Sequence, residues 1–361
     1  MRLPSFVTLA AAAILALTAT DERAAHAAAN VQISGPHVHD NLAVYFVHGA
    51  SASGPVPLTL DEALTKGSVQ VIETGEVNEL KIENTGAEEV FIQSADIVKG
   101  GKQDRVLTVS FILPAHSGQV PIASFCVERG RWTARGTEDA STFASAAEAL
   151  PSREAKLAMK ASLPAAPPLA DPSLEMKGSG ELAPSSENEV FERQREVWDA
   201  VDKTQSKLSS GINAEVASPE SATSLQLAME NEKLRELRSA YVKGLQEAGE
   251  REDDIIGYAF AINGKLNSAD LYASNGLFRK MWPKLLNAAA TEAIGESNDK
   301  LEAPPSADAV AAFLDEARRG KAKEQALSDG VRLKTRESSD AVYFATETAS
   351  GGRVHENYLA K

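Results

Sequence analysis

The spacing of apolar positions divides the chain into two halves of different period. In the first half the apolar residues fall in short runs rich in β-branched and aromatic side chains, punctuated by Gly, Asn and Asp. These runs predict strands at Leu42–His48, Val69–Glu73, Glu79–Asn84, 89–93 and 105–113. Leu80 with Ile82, and Val90 with Ile92, each share one face of their strand. One short helix, 60–66, opens on Thr59 as cap and stops at Gly67. The strands follow one another without long helices between them, which predicts antiparallel or mixed pairing.

The second half carries the helical period. Val190, Phe191, Gln194, Val197, Trp198, Val201 and Leu208 define one stripe, and Leu234, Leu237, Tyr241 and Leu245 a second. A polar break over 209–224 separates them. Ile255–Ile262 and Lys265–Tyr272 flank Asn263-Gly264, a strong two-residue hairpin signal. A third helix carries Leu277, Phe278, Met281, Trp282, Leu285 and Leu286, with Pro283 inside the stripe, where it kinks the helix or forms its first turn. Ser306 caps a helix through Val310, Phe313 and Leu314 that ends in Arg318, Arg319 and Gly320. Segments 341–346 and 353–359 pair across Ser350-Gly351-Gly352. The expected fold is α+β: a mostly antiparallel or mixed sheet from the N-terminal half, packed with helices and a hairpin from the C-terminal half.

Between the halves the composition changes. No aromatic residue occurs from Ala144 to Val190, and prolines 151, 164, 167, 168, 172 and 184 lie among Ala, Ser and Glu. Such a stretch buries too little to order itself, so 163–188 reads as a mobile linker or long surface loop. At the N-terminus, Arg2, an apolar run from Phe6 to Ala19 and the small-residue site Ala25-His26-Ala27 read as a signal peptide, residues 1–27. The apolar run is shorter than the roughly 20 residues of a membrane-spanning helix. The mature chain is expected to begin at Ala28 and to reside in the periplasm or be secreted.

The net charge of −14 opposes nucleic acid and anionic lipid, and no basic stripe with interleaved aromatics is present. Neither a nucleic-acid partner nor a membrane span in the mature chain is expected. Cys126 is the sole cysteine, so no internal disulfide can form.

Several segments in order carry a family likeness: Leu58-Thr59-Leu60-Asp61-Glu62-Ala63-Leu64, Gly75-Glu76-Val77-Asn78-Glu79-Leu80, Gly100-Gly101-Lys102-Gln103-Asp104-Arg105, and Cys126-Val127-Glu128-Arg129-Gly130-Arg131-Trp132. Gln194 with Trp198, and Ala259 to Gly264 through Phe278, Trp282, Leu285 and Leu286, follow. Over roughly residues 30 to 295 the chain resembles the family named for association with ADP-ribosylglycohydrolase and rhodanese-phosphatase proteins. The resemblance implies a neighbourhood of ADP-ribose and NAD enzymes, but no established activity, cofactor or catalytic residue. The chain departs from the family pattern at Ala95-Asp96, where Gly-Glu is usual, and at Asp104, where Asn is common. The match across the linker implies one composite domain over 28–295, followed by an extension over 296–361.

Two polar segments offer chemistry. Residues 96–105 read as a loop in which Gly100 and Gly101 let backbone N–H groups approach a ligand. Lys102 and Arg105 would complement an anion, and Gln103 and Asp104, with Asp96, would read hydroxyls or amides. The alternative is a glycine turn whose charges pair with one another. In the second segment Glu128 would act as a base or hold Arg131, Arg131 would bind a phosphate or carboxylate, and Trp132 would stack on a ring. The alternative there is a strand end with Cys126 buried and Glu128 paired to Arg131. A cysteine nucleophile would need a base such as His116. Ser117 lacks a G-x-S-x-G frame. His37 and His39 with Asp40 could share a metal, but no third or fourth ligand is evident, so neither metal nor cofactor is expected. The sequence therefore points to an exported ligand-binding or interaction module, with a small anionic ligand. The alternative is a hydrolase or transferase acting on a nucleotide-sugar or ADP-ribose-like substrate.

Overall fold

The computed structural model describes residues 31–136, 140–160, 184–298, 302–328, 331–348 and 351–361. The expected signal peptide, and most of the expected linker at 163–188, lie outside these residues.

The largest element is an eight-stranded antiparallel sheet. Its strands are β1 (Gln32–His39), β2 (Leu42–His48), β12 (Ile255–Ile262), β13 (Lys265–Tyr272), β17 (Arg353–Ala360), β16 (Ala341–Thr348), β15 (Val331–Glu337) and β14 (Lys321–Ser328), in that spatial order. Strands from both ends of the sequence thus lie side by side, and residues 296–361 supply four of the eight. A six-stranded antiparallel sheet runs β11 (Phe143–Ala149), β7 (Asp96–Gly100), β8 (Arg105–Leu107), β10 (Gly118–Cys126), β5 (Glu79–Asn84) and β4 (Val69–Glu73). A small third sheet joins β3 (Leu58–Thr59), β6 (Val90–Ile92) and β9 (Phe111–Leu113), with β3 and β6 parallel. The architecture is α+β.

Helices cover both faces of the large sheet. The helices are α1 (Leu60–Thr65), α2 (Arg153–Lys160), α3 (Pro184–Ile212), α4 (Leu225–Met229), α5 (Glu232–Leu245), α6 (Asn275–Gly295) and α7 (Ala307–Arg319). On one face Leu42, Val44 and Phe46 meet Phe278, Met281 and Trp282 of α6. The Trp282 ring lies 5.3 Å from Phe46 and 5.5 Å from Tyr258, both edge-on. On the other face Ala43, Tyr45 and Val47 meet Val310, Leu314 and Ala317 of α7.

Local signals set many boundaries as expected. Thr59 and Glu62 form a reciprocal capping box at α1, and Ser306 caps α7. The Asn263-Gly264 hairpin and the 341–360 hairpin both form. Pro283 sits in the interior of α6.

Other expectations are corrected. Residues 96–100, read as loop, form β7, because Asp96 is neutralised by Lys284 and the strand is paired on both edges. The single strand expected over 105–113 breaks at Thr108–Ser110, where the chain leaves the six-stranded sheet for the small one. The polar break begins later than expected, since α3 continues to Ile212. In the helical stripes, Phe191 and Leu237 are exposed, Gln194 is buried with its stripe, and Arg238, outside the expected stripe, is buried as well.

Candidate functional site

The polar family-like segments meet where β7, β8 and β10 run side by side. Gly100 and Gly101 turn the chain from β7 toward β8 with φ of +123° and +54°. A Cβ on Gly100 would lie 2.8 Å from the Thr142 carbonyl oxygen, and one on Gly101 2.2 Å from the Phe143 ring. Only glycine lets β11 approach this closely. The turn delivers Asp104 inward, while Cys126 pairs with Arg105 across β10 and β8 and brings Glu128 alongside.

Asp104 and Glu128 are fully buried carboxylates held by two arginines. Arg131 Nη2 lies 2.6 Å from Glu128 and 3.4 Å from Asp104. Arg135 Nη1 lies 3.2 Å from Asp104 and 3.5 Å from Glu128. Ser224, the cap of α4, donates to Asp104 at 2.8 Å, as does the Gly100 N–H at 3.0 Å. Arg131 also donates to the carbonyls of Gly100, Gly101 and Thr133. Gln103 donates to the Glu128 carbonyl at 2.9 Å. Burial, and then repulsion from Glu128, push the Asp104 carboxyl upward, only partly offset by Arg135 and the Gly100 N–H. Burial would also raise Glu128, but hydrogen bonds from Arg131, Ser221 and the Asp104 N–H outweigh it and leave its carboxyl below the usual range. Two charges of each sign, paired with one another, make this an internal clamp.

The remaining candidates form its outer edge. Arg105 is fully buried; its Nη1 donates to the Gln103 backbone and side-chain oxygens at 3.2 and 3.3 Å. Among the described residues its Nε and Nη2 have no hydrogen-bond partner, and the Glu73 carboxylate lies 3.8 Å from Nη2. Trp132 covers it with the ring centroid 5.5 Å from the guanidinium, and Lys102 Nζ stands 5.1 Å from the same ring. Trp132 itself is 41% exposed.

Asp96 is not part of this assembly. It begins β7, about 13 Å along the strand from Gly100, and pairs with Lys284 at 2.7 Å. Cys126 is buried, its thiol pushed up to about 12 chiefly by burial, and its backbone is clamped by Gln194 from both sides. His116 lies in the turn before β10 and Cys126 at that strand's far end. Sequence reasoning missed Arg135, Ser224 and Glu73. Glu73 ends a strand that was expected, but Ser224 reaches Asp104 across 120 residues.

A family model, the ARG and Rhodanese-Phosphatase-superfamily-associated Protein domain, matches residues 30–359. The chain belongs to this family. No curated protein and no solved structure matches it at a significant level. The family match runs through the C-terminal strands, consistent with their place in the large sheet. Among the described residues no helix is long and apolar enough to cross a membrane.

The histidines of this family member behave differently from one another. His37 and His39 pack on aromatic rings, Phe46 at 5.3 Å and Tyr241 at 4.7 Å. His355 joins a buried chain: the Ser94 N–H donates to Ser110 Oγ, which lies 2.9 Å from His355 Nδ1, while Nε2 lies 3.1 Å from Asp270. The cavity beside it, lined by Ser94, Ser110, Thr346, His355 and Asn357 among others, is about 10 Å³, close to the room one water needs.

Proposed function

We propose that the protein is an exported module that binds a small anionic ligand at the edge formed by Lys102, Arg105 and Trp132, with the Asp104–Glu128 clamp as its scaffold. The observation that carries the reading is Arg105: a guanidinium with no exposed surface and, among the described residues, two nitrogens without hydrogen-bond partners, beneath a tryptophan that is 41% exposed. A buried charge short of partners is costly, and an anion reaching it past the indole would supply them. The exposed indole offers a stacking surface for a planar ring, and Lys102 stands beside it. Arg131, by contrast, is committed to Glu128 and three carbonyls.

The test is a thermal-shift panel of nucleotides, ADP-ribose and sugar phosphates. At least one is expected to raise the midpoint, and Lys102→Ala and Trp132→Ala are expected to abolish that rise while leaving the unliganded protein nearly as stable. A panel without any shift, or a shift that survives both substitutions, sinks the reading. Intact mass of the exported protein tests the expected start at Ala28.

A second reading, a hydrolase or transferase on a nucleotide-sugar or ADP-ribose-like substrate, is favoured by the Ser110–His355–Asp270 chain, which has the polarity of an activated hydroxyl. Against it stands the size of the adjoining cavity. Chromatography of the same ligands after incubation tests this alternative; unchanged ligands count against it.

A further inference from the structure

A second pair of neighbouring carboxylates lies where β2 ends beside the start of β12 in the large sheet, and its charge is balanced differently. His48 ends β2 with its side chain 8% exposed. Its Nε2 lies 2.7 Å from Ser34 Oγ of β1. Its Nδ1 faces Asp254 Oδ1 at 2.9 Å and Glu252 Oε2 at 3.8 Å. Among the described residues this is the one group of three His, Cys, Asp or Glu whose ligand atoms all lie within 4.8 Å of one another.

The backbone around the group is pinned. His48 is in register with Ile255 across β2 and β12, and Gly49 N–H donates to the Asp254 carbonyl at 3.0 Å. Asn275 Nδ2 donates to the carbonyls of Glu252 and Ile255 at 3.2 and 2.8 Å. The donors therefore sit at the ends of adjacent strands, while their carboxylate tips, 61% and 63% exposed, remain free to adjust.

Nearby cations are already engaged. Arg251 pairs with Glu247 at 3.3 Å, and Arg279 with Asp253 at 2.9 Å. Neither Glu252 nor Asp254 has a Lys or Arg ion pair among the described residues; each has only His48. The contrast with Asp104 and Glu128 is direct. There, two close carboxylates are met by two guanidiniums; here two close carboxylates are met by one imidazole. In a chain of net charge −14, two close carboxylates that share a single imidazole favour a cation.

We propose that His48 Nδ1, Asp254 and Glu252 bind a divalent transition-metal cation such as Zn²⁺, with water completing the coordination on the open side. One imidazole nitrogen and two carboxylate oxygens suit that class of ion. Bonds of about 2.0–2.2 Å at tetrahedral angles set ligand atoms about 3.3–3.6 Å apart. The observed His48 separations of 2.9 and 3.8 Å bracket this, and all three ligand atoms lie within 4.8 Å of one another, so the exposed carboxylates have only to close around the ion. Ser34 supplies the partner that a metal-bound imidazole needs on its other nitrogen, accepting Nε2–H and turning Nδ1 toward the ion. With the opposite tautomer, Ser34, His48 and Asp254 would make a hydroxyl-activating chain; the metal reading needs Nδ1 bare, the other needs it protonated.

Calorimetric titration of the full, untagged chain with Zn²⁺ in a non-chelating buffer tests the proposal, alongside thermal melts. One equivalent is expected to bind, with a midpoint rise of several degrees at saturation. Glu252→Gln and Asp254→Asn are expected to weaken binding at least about tenfold each and the double variant to abolish it, whereas His39→Gln changes nothing. Both carboxylates are surface groups, so these variants fold even if His48→Gln does not. A wild type that binds no zinc, a double variant that binds it as tightly as wild type, or fluorophosphonate labelling of Ser34 that zinc leaves unaffected overturns the proposal.

Discussion

Replacing Arg131 by Met removes a guanidinium from the clamp while keeping most of its aliphatic stem. The side chain is 9% exposed and meets Glu128 at 2.6 Å, Asp104 at 3.4 Å and three backbone carbonyls. Its loss leaves two buried carboxylates facing Arg135 as the remaining guanidinium. Removing one partner from a buried, hydrogen-bonded charge pair costs about 3–5 kcal/mol; for a chain of this size that lowers the melting midpoint on the order of 10 °C. Lys102→Ala, which removes a half-buried ammonium from the indole's edge, should cost no more than about 1 kcal/mol. Urea unfolding of the two variants and the wild type, with and without phosphate, reads the difference as a change in midpoint at constant slope. A loss below about 1 kcal/mol for Arg131→Met, or recovery of its stability in phosphate, refutes the scaffold role and returns Arg131 to the anion site.

Three further outcomes follow from neighbouring groups. Glu128 and Glu356 both have folded-state carboxyls held below the usual range, burial being outweighed in Glu128 by Arg131 and in Glu356 by Arg353 and Arg318; their stabilisation is present above about pH 4.5 and is lost as the pH falls through the lowered values. Asp104, raised by burial, works in the opposite sense and gains on acidification, so Asp104→Asn should lose stability more steeply than wild type in acid-denaturation curves; a shallower curve contradicts this. Cys126, with its thiol near 12 and buried, should resist a thiol reagent at mildly alkaline pH and react with one equivalent only after unfolding; rapid native labelling would show that β10 opens. Gly101→Ala should destabilise by about 1–3 kcal/mol in the same urea assay, since the new Cβ meets the Phe143 ring and φ is positive; a neutral effect would mean the turn can relax.

Features written in adjacent residues were legible in the sequence. Thr59 with Glu62, Ser306, and Asn263-Gly264 each carry their own boundary signal, and each forms the cap or turn it implies. Strands such as Leu42–His48, apolar up to its final histidine, needed no partner to be recognised. Asp96–Gly100 failed that test because a strand with Asp at one end and Lys-Gly at the other looks like a loop until Lys284 supplies the counter-charge. Arg238 and Gln194 break apolar stripes for the same reason: Glu148 and the backbone of Cys126 satisfy them from elsewhere in the chain. The candidate site was half visible. Lys102 to Arg105 and Glu128 to Trp132 stand out as polar motifs, and they do meet, but Asp96 is drawn away by Lys284 and Arg135 is added. His48 and Asp254, 206 residues apart, are joined only by the β2–β12 pairing, which no local pattern announces.

The clamp and the edge above it explain each other. Arg131 ties the carbonyls of Gly100, Gly101 and Thr133 to a single guanidinium, so the residues flanking Lys102 on one side and Trp132 on both sides are fixed from within. Trp132 thereby holds its place over Arg105, and the ring covers a charge that, among the described residues, has only part of its hydrogen-bonding capacity met. Were the motifs only scaffold, a guanidinium whose two terminal nitrogens are both engaged, as Arg131's are, would be expected at position 105 as well. Instead, among the described residues, Arg131 leaves its Nε alone without a hydrogen-bond partner while Arg105 leaves both Nε and Nη2, and it is Arg105 that lies beneath the exposed ring. That asymmetry, with a second cation on the same ring, is the physical reason to look for an anion there rather than at the better-formed ion pairs beneath it.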